Sequence, residues 1–128
     1  MAYNVFLSFA MEDKDLVELF RGQAKNKQLD LEFRDYSIKE PFDYQWKTNC
    51  ERVMRMCSAV MCLVGRQTYR SSAVEWEINK AVELGKGLMA VCLLQTPVVV
   101  PTALTRFKVT PVPWNFEAIM SELHAVAR

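Results

Sequence analysis

Residues 59–94 read AVMCLVGRQTYRSSAVEWEINKAVELGKGLMAVCLL, and this stretch decides the fold. Ala59–Val64 is an unbroken apolar run ended by Gly65, and Leu88–Leu94 is a second one. Continuous apolar runs of this length, bounded by turn residues, read as strands covered on both faces. Between them lies a segment of helical period. Ser72 opens it with Glu75 three residues on, the spacing of a capping box, and it runs to Leu84 and stops at Gly85.

The same alternation extends outward. Tyr3–Phe9 reads as a short buried strand, and Asp13 or a neighbour caps a helix with Leu16, Leu19, Phe20 and Ala24 at helical spacing. Gln23 is the one polar intruder on that face. Leu31–Phe33 is a brief strand followed by a polar loop, Asp35–Tyr44. Trp46, Cys50, Val53 and Cys57 mark the apolar face of the next helix. Downstream, Gln95–Pro113 carries four prolines and reads as loop around one short strand near Phe107–Val109; a last helix follows Asn115. The fold class is therefore α/β: a flavodoxin-like, doubly wound parallel sheet of four to five strands with helices on both faces, a single domain over residues 1–128. Ligands of such sheets bind beyond the carboxyl ends of the strands where the order reverses. In a flavodoxin-like order that crevice lies beyond Phe9 and Gly65.

Composition removes several classes of function. The 128 residues hold 16 Lys+Arg against 15 Asp+Glu, a net charge of +1, so the concentrated basic footprint of a nucleic-acid binder is missing. No apolar run approaches the roughly 20 residues of a membrane span, and the N-terminus lacks the basic and apolar regions of a signal peptide. The expectation is a cytoplasmic domain without nucleic-acid or membrane partners. Cys50, Cys57, Cys62 and Cys92 form no Cys-x-x-Cys pair and read as reduced thiols, and with one His no metal site is expected. Glycine-rich phosphate loops are absent. A receiver domain would need an Asp where Gly65 and Arg66 stand.

One residue breaks the helical pattern. With Val74 at zero and about 100° per residue, Ala73, Ile78, Ala81, Val82 and Leu84 define an apolar arc, and Glu77 falls inside it at about −60°. Glu75, Asn79 and Glu83 lie opposite, where solvated groups belong. A carboxylate in an apolar stripe either reaches water or a cation such as Lys80 or Lys39, or lines a cavity. Its second-turn position leans it back towards the crevice. Trp76 is the mirror anomaly, an aromatic on the polar side, suited to packing on a neighbouring element or to anchoring another subunit.

Several segments taken together resemble a known family. Val5-Phe6-Leu7-Ser8-Phe9 with Glu12-Asp13, Phe33-Arg34-Asp35 with the loop to Phe42, Cys57-Ser58-Ala59-Val60 through Gly65, and Ser71 through Ile78 with Glu83-Leu84-Gly85-Lys86 resemble, in order, the signatures of Toll/interleukin-1 receptor (TIR) domains. Gln23–Lys27 and Lys39–Asp43 are similar to the bacterial TIR-like proteins of the Thoeris anti-phage system. The resemblance implies cleavage of the nicotinamide–ribose bond of NAD, with NAD as substrate and no cofactor. Glu77 matches the catalytic glutamate and Ser8 and Phe9 match positions lining the pocket, which the loop from Asp35 would border; Ala10, also assigned to substrate binding, stands where plant members carry a basic residue and Gly. Trp76, Phe42 and Tyr44 read from their placement as stacking or interface residues, and the Trp that many TIR enzymes carry four residues before the glutamate is Ala73 here. It further implies a cyclic ADP-ribose-type signal for an effector, TIR–TIR self-association and a phage-derived trigger. Two alternatives share the fold: a non-catalytic TIR adaptor acting through domain contacts, and a nucleoside 2-deoxyribosyltransferase-like enzyme.

Overall fold

A computed structural model describes residues 3–34 and 44–128, with the side chain of residue 44 outside the description. The elements are β1 (Tyr3–Phe9), α1 (Lys14–Asn26), β2 (Leu31–Arg34), α2 (Tyr44–Arg55), β3 (Ala59–Val64), α3 (Ser72–Glu83), β4 (Gly87–Cys92), α4 (Thr102–Arg106), β5 (Val112–Pro113) and α5 (Phe116–Val126). All strand pairs are parallel, in the order β2-β1-β3-β4-β5. The order reverses between β1 and β3, as the flavodoxin-like reading requires.

Side-chain alternation along the strands divides the core. Val5, Leu7, Phe9, Met61, Leu63, Met89 and Val91 face α1 and α5, where Val17, Phe20, Ile119 and Leu123 cover them. Phe6, Val60, Cys62, Val64 and Ala90 face α2, α3 and α4. Every residue of β3 is buried, which is why its sequence shows no polar alternation. Register places Ser8 beside Cys62 and Phe9 beside Leu63, close to the carboxyl edge.

The structure corrects the local reading in four places. The cap of α3 is Ser71, whose Oγ accepts from Val74 N at 3.1 Å, and the helix ends at Glu83 with Gly85 at φ +71° behind it. Glu75 does not complete a capping box; its carboxylate accepts instead from Ala103 N at 2.9 Å. That contact explains the second difference, a short helix α4 inside the proline-rich segment, anchored by fully buried Ala103 and Leu104. Third, the last strand is not at Phe107–Val109 but at Val112–Pro113, two residues paired with Val91 and Cys92. Fourth, Cys57 lies beyond the end of α2, and the buried stripe of that helix is Trp46, Cys50 and Met54. Among the described residues no helix is long and apolar enough to cross a membrane.

Candidate active site

Glu77 is 0% exposed. The helical arc that had to face the sheet carries it there, with Val74, Ile78 and Ala81 buried around it. Ser8 Oγ, from the carboxyl end of β1, donates to Glu77 Oε1 at 2.6 Å. Cys50 Sγ, from the second turn of α2, donates to Oε2 at 3.7 Å. A strand and a helix thus supply donors to the two oxygens of one carboxylate, in surroundings that amplify every charge interaction. Of the two cations that could have drawn Glu77 to the surface, Lys80 bonds Glu51 at 3.1 Å and Glu83 at 3.0 Å. These two acids hold the Lys80 ammonium above its ordinary range, Glu83 contributing most, while Lys80 and then Arg55 lower Glu51. Lys39 lies outside the described residues.

Among the described residues expected at the site, Ser8 is in contact with Glu77. Phe9, next along β1, points to the opposite face of the sheet and is packed in the α1/α5 core. Ala10 is buried at the start of the β1–α1 loop, where its carbonyl accepts from Asp13 N at 2.9 Å. Trp76 packs on Trp46 of α2, ring centroids 5.2 Å apart, with Lys47 and Lys80 ammonium groups 5.7 and 5.6 Å from its ring centre. That arrangement is the helix-packing role open to it from sequence. Asp35 and Phe42 lie outside the described residues, as does the side chain of Tyr44.

A second buried carboxylate, which reads from sequence as a helix cap, stands at the crevice. Asp13 makes no side-chain cap bond to α1. Its Oδ2 accepts from Thr68 Oγ1 at 3.2 Å, and Thr68 Oγ1 accepts from Gly65 N at 2.7 Å. Burial pushes the Asp13 carboxyl above its ordinary value; the Thr68 hydrogen bond opposes this and Glu12 adds to it. A Cβ on Gly65 would overlap the Asp13 carboxylate, so this glycine is required by close approach. The chain Gly65–Thr68–Asp13 ties the β1–α1 loop to the β3–α3 loop, the two loops that border the crevice.

A groove of about 1030 Å³ lies elsewhere, beyond β4 and β5 between Gln23, Cys92, Pro97 and Trp114. No carboxylate is among its described lining residues. No group of three His, Cys, Asp or Glu among the described residues could hold a metal ion.

The sheet order is that of the flavodoxin-like α/β class, to which TIR domains belong. Solved structures agree on the fold. The chain is similar to the TIR domain of the Toll-related receptor TRR-2 from Hydra magnipapillata, with TM-score 0.61 at 13% identity over 94% of this chain and 90% of that one. It is similar also to the TIR domains of the activated Roq1 resistosome, with TM-score 0.52 at 15% identity over 97% of this chain and 72% of that one. No curated protein matches the sequence significantly. Residues 6–97, well over half of the chain, match the family model described as "Thoeris protein ThsB, TIR-like domain", and the chain belongs to that family.

Proposed function

We propose that this TIR-like domain cleaves the nicotinamide–ribose bond of NAD in anti-phage defence, with Glu77 as its catalytic carboxylate. The observation that carries the reading is the complete burial of Glu77 with its oxygens held by Ser8 and Cys50. Nicotinamide is already cationic in NAD, so its departure as the neutral base needs no strong general acid. What must be stabilised is the positive charge that develops on the ribosyl carbon. A desolvated, oriented carboxylate does this. Water attack on that carbon gives ADP-ribose and a proton. Attack by the substrate's own adenine nitrogen or ribose hydroxyl, with loss of a proton, gives a cyclic ADP-ribose-type signal for an effector, and this is the outcome proposed. Ser8 belongs to the proposed pocket through Glu77, with Ala10, Asp35 and the main chain at Phe9, whose ring packs on the other face of the sheet, as its further substrate-binding positions.

Self-association and a phage-derived trigger belong to the same proposal. The description of the Roq1 relative as an activated resistosome with TIR domains supports the former. Trp76, Phe42 and Tyr44 are the proposed contact positions.

The test is mass spectrometry of the products after incubating concentrated protein with NAD, beside Glu77→Gln. Wild type should release nicotinamide together with a cyclised product of one water less than ADP-ribose. Glu77→Gln should lose at least about 100-fold in rate, the scale set by removing a preorganised electrostatic stabiliser. If wild type and variant alike leave NAD intact, even in lysate from phage-infected cells, the adaptor reading replaces the enzyme.

A further inference from the structure

We infer that Cys50 is a positioning residue for Glu77: its thiol fixes the second carboxylate oxygen and with it the plane in which the carboxylate meets the ribosyl centre. The catalytic half of this inference rests on the NAD-cleaving reading of Glu77; the contact itself does not. The terminal torsion of a Glu side chain is broad, so each donor on a carboxylate oxygen narrows the plane it can adopt. Ser8 supplies one bond to Oε1, and Cys50 supplies a second to Oε2 from a different element.

The thiol is itself well placed to act as a fixed point. Cys50 is 0% exposed and packed in a cluster with Phe6, Met54, Cys57, Val60 and Ala81. Trp46, Cys50 and Met54 recur every four residues on α2, so the helix that buries Trp46 also aims Cys50 at α3. A thiol is a weak donor. It therefore orients the carboxylate while withdrawing less of its charge than a hydroxyl at the same contact, which suits a group whose charge is needed by the transition state.

Cys50→Val keeps a side chain of similar bulk and removes the donor, whereas Cys50→Ser keeps a donor. Both are compared with wild type and Glu77→Gln in the full chain by three measurements: kcat and KM for NAD against pH, the melting temperature, and a carbon-13 carboxyl NMR titration of Glu77. Cys50→Val should lower kcat about tenfold with KM within twofold. Its acid limb and the Glu77 titration midpoint should both move to higher pH, because a donor to the charged form has been lost. Cys50→Ser should lie between Cys50→Val and wild type in kcat, while its midpoint, with a stronger donor on the carboxylate, should lie at or below that of wild type. A role in packing alone would lower the melting temperature and leave the acid limb and the midpoint in place, and that result overturns the inference. So does loss of activity to the same extent in the Val and Ser variants. The NMR titration needs no turnover, so it separates the two failures. A midpoint that moves in a wild type unable to cleave NAD overturns the catalytic half along with the NAD reading, while an unmoved midpoint in an active enzyme overturns this inference alone.

Discussion

At Gly65 one added carbon would overlap the Asp13 carboxylate, so Gly65→Ala should force the two crevice loops apart. Overpacking of this kind costs about 1–3 kcal/mol, to be read as a lower urea midpoint than wild type. Asp13→Asn tests the buried charge separately. Because burial raises the Asp13 carboxyl above its unfolded value, the folded chain holds that proton more tightly than the unfolded one. The associated stability is present in acid and is lost as pH rises through the folded value. Asp13→Asn, neutral throughout and able to accept from Thr68, should therefore melt higher than wild type at neutral pH. The gap should close in acid, and a gap independent of pH would show that the charge is not what costs stability. Glu77 was legible in the sequence because a carboxylate interrupts an apolar arc. Cys50 was not legible as a partner, since a thiol in an apolar stripe conforms to the pattern. Asp13 was hidden because a cap already accounts for an Asp before a helix.

Elements differ in how much of their stability is local. Strands β1, β3 and β4 and helices α1, α3 and α5 follow from apolar runs, caps and helical spacing, and they stand where the sequence places them. The segments α4 and β5, with five and two residues, are too short to carry a period, and prolines around them signal only irregular chain. Their positions come from tertiary contacts. One of these is the Glu75 carboxylate on the first turn of α4. Glu75→Ala should leave Ala103 N without that acceptor and cost about 1 kcal/mol. Amide exchange should accelerate across 102–107 while the central strands stay protected. Glu75→Gln, whose side-chain oxygen can still accept, should restore most of the protection.

On the scale of the whole molecule, the sheet has two short edges of different character. One is β2, where Arg34 and Glu32 pair at 3.3 Å on exposed side chains, and the other is β5, flanked by Pro111 and containing Pro113. Charge and proline both blunt edge-to-edge pairing. Self-association should therefore proceed through helices and loops, and it should complete the proposed active site. Specific NAD-cleaving activity should then fall on dilution, with a midpoint matching the dissociation measured by analytical ultracentrifugation. Activity strictly proportional to concentration down to the nanomolar range would argue for a self-sufficient monomer. Trp76, on α3 and packed against Trp46 of α2 with two lysines beside its ring, is the proposed contact on this face, and Trp76→Ala should weaken association more than it alters the fold.

The order β2-β1-β3-β4-β5 also has a consequence for biosynthesis. Within this sheet β1 is flanked on both sides by strands made after it, and one face of it waits longer still. Val5, Leu7 and Phe9 belong to a core that includes Ile119 and Leu123 of the final helix. While residues 65–115 are being translated, that face of the growing sheet lacks part of its cover, and exposed apolar surface of this kind is what molecular chaperones bind. A ribosome-bound chain halted before Phe116 should engage such chaperones, and one extended past Val126 should let them go.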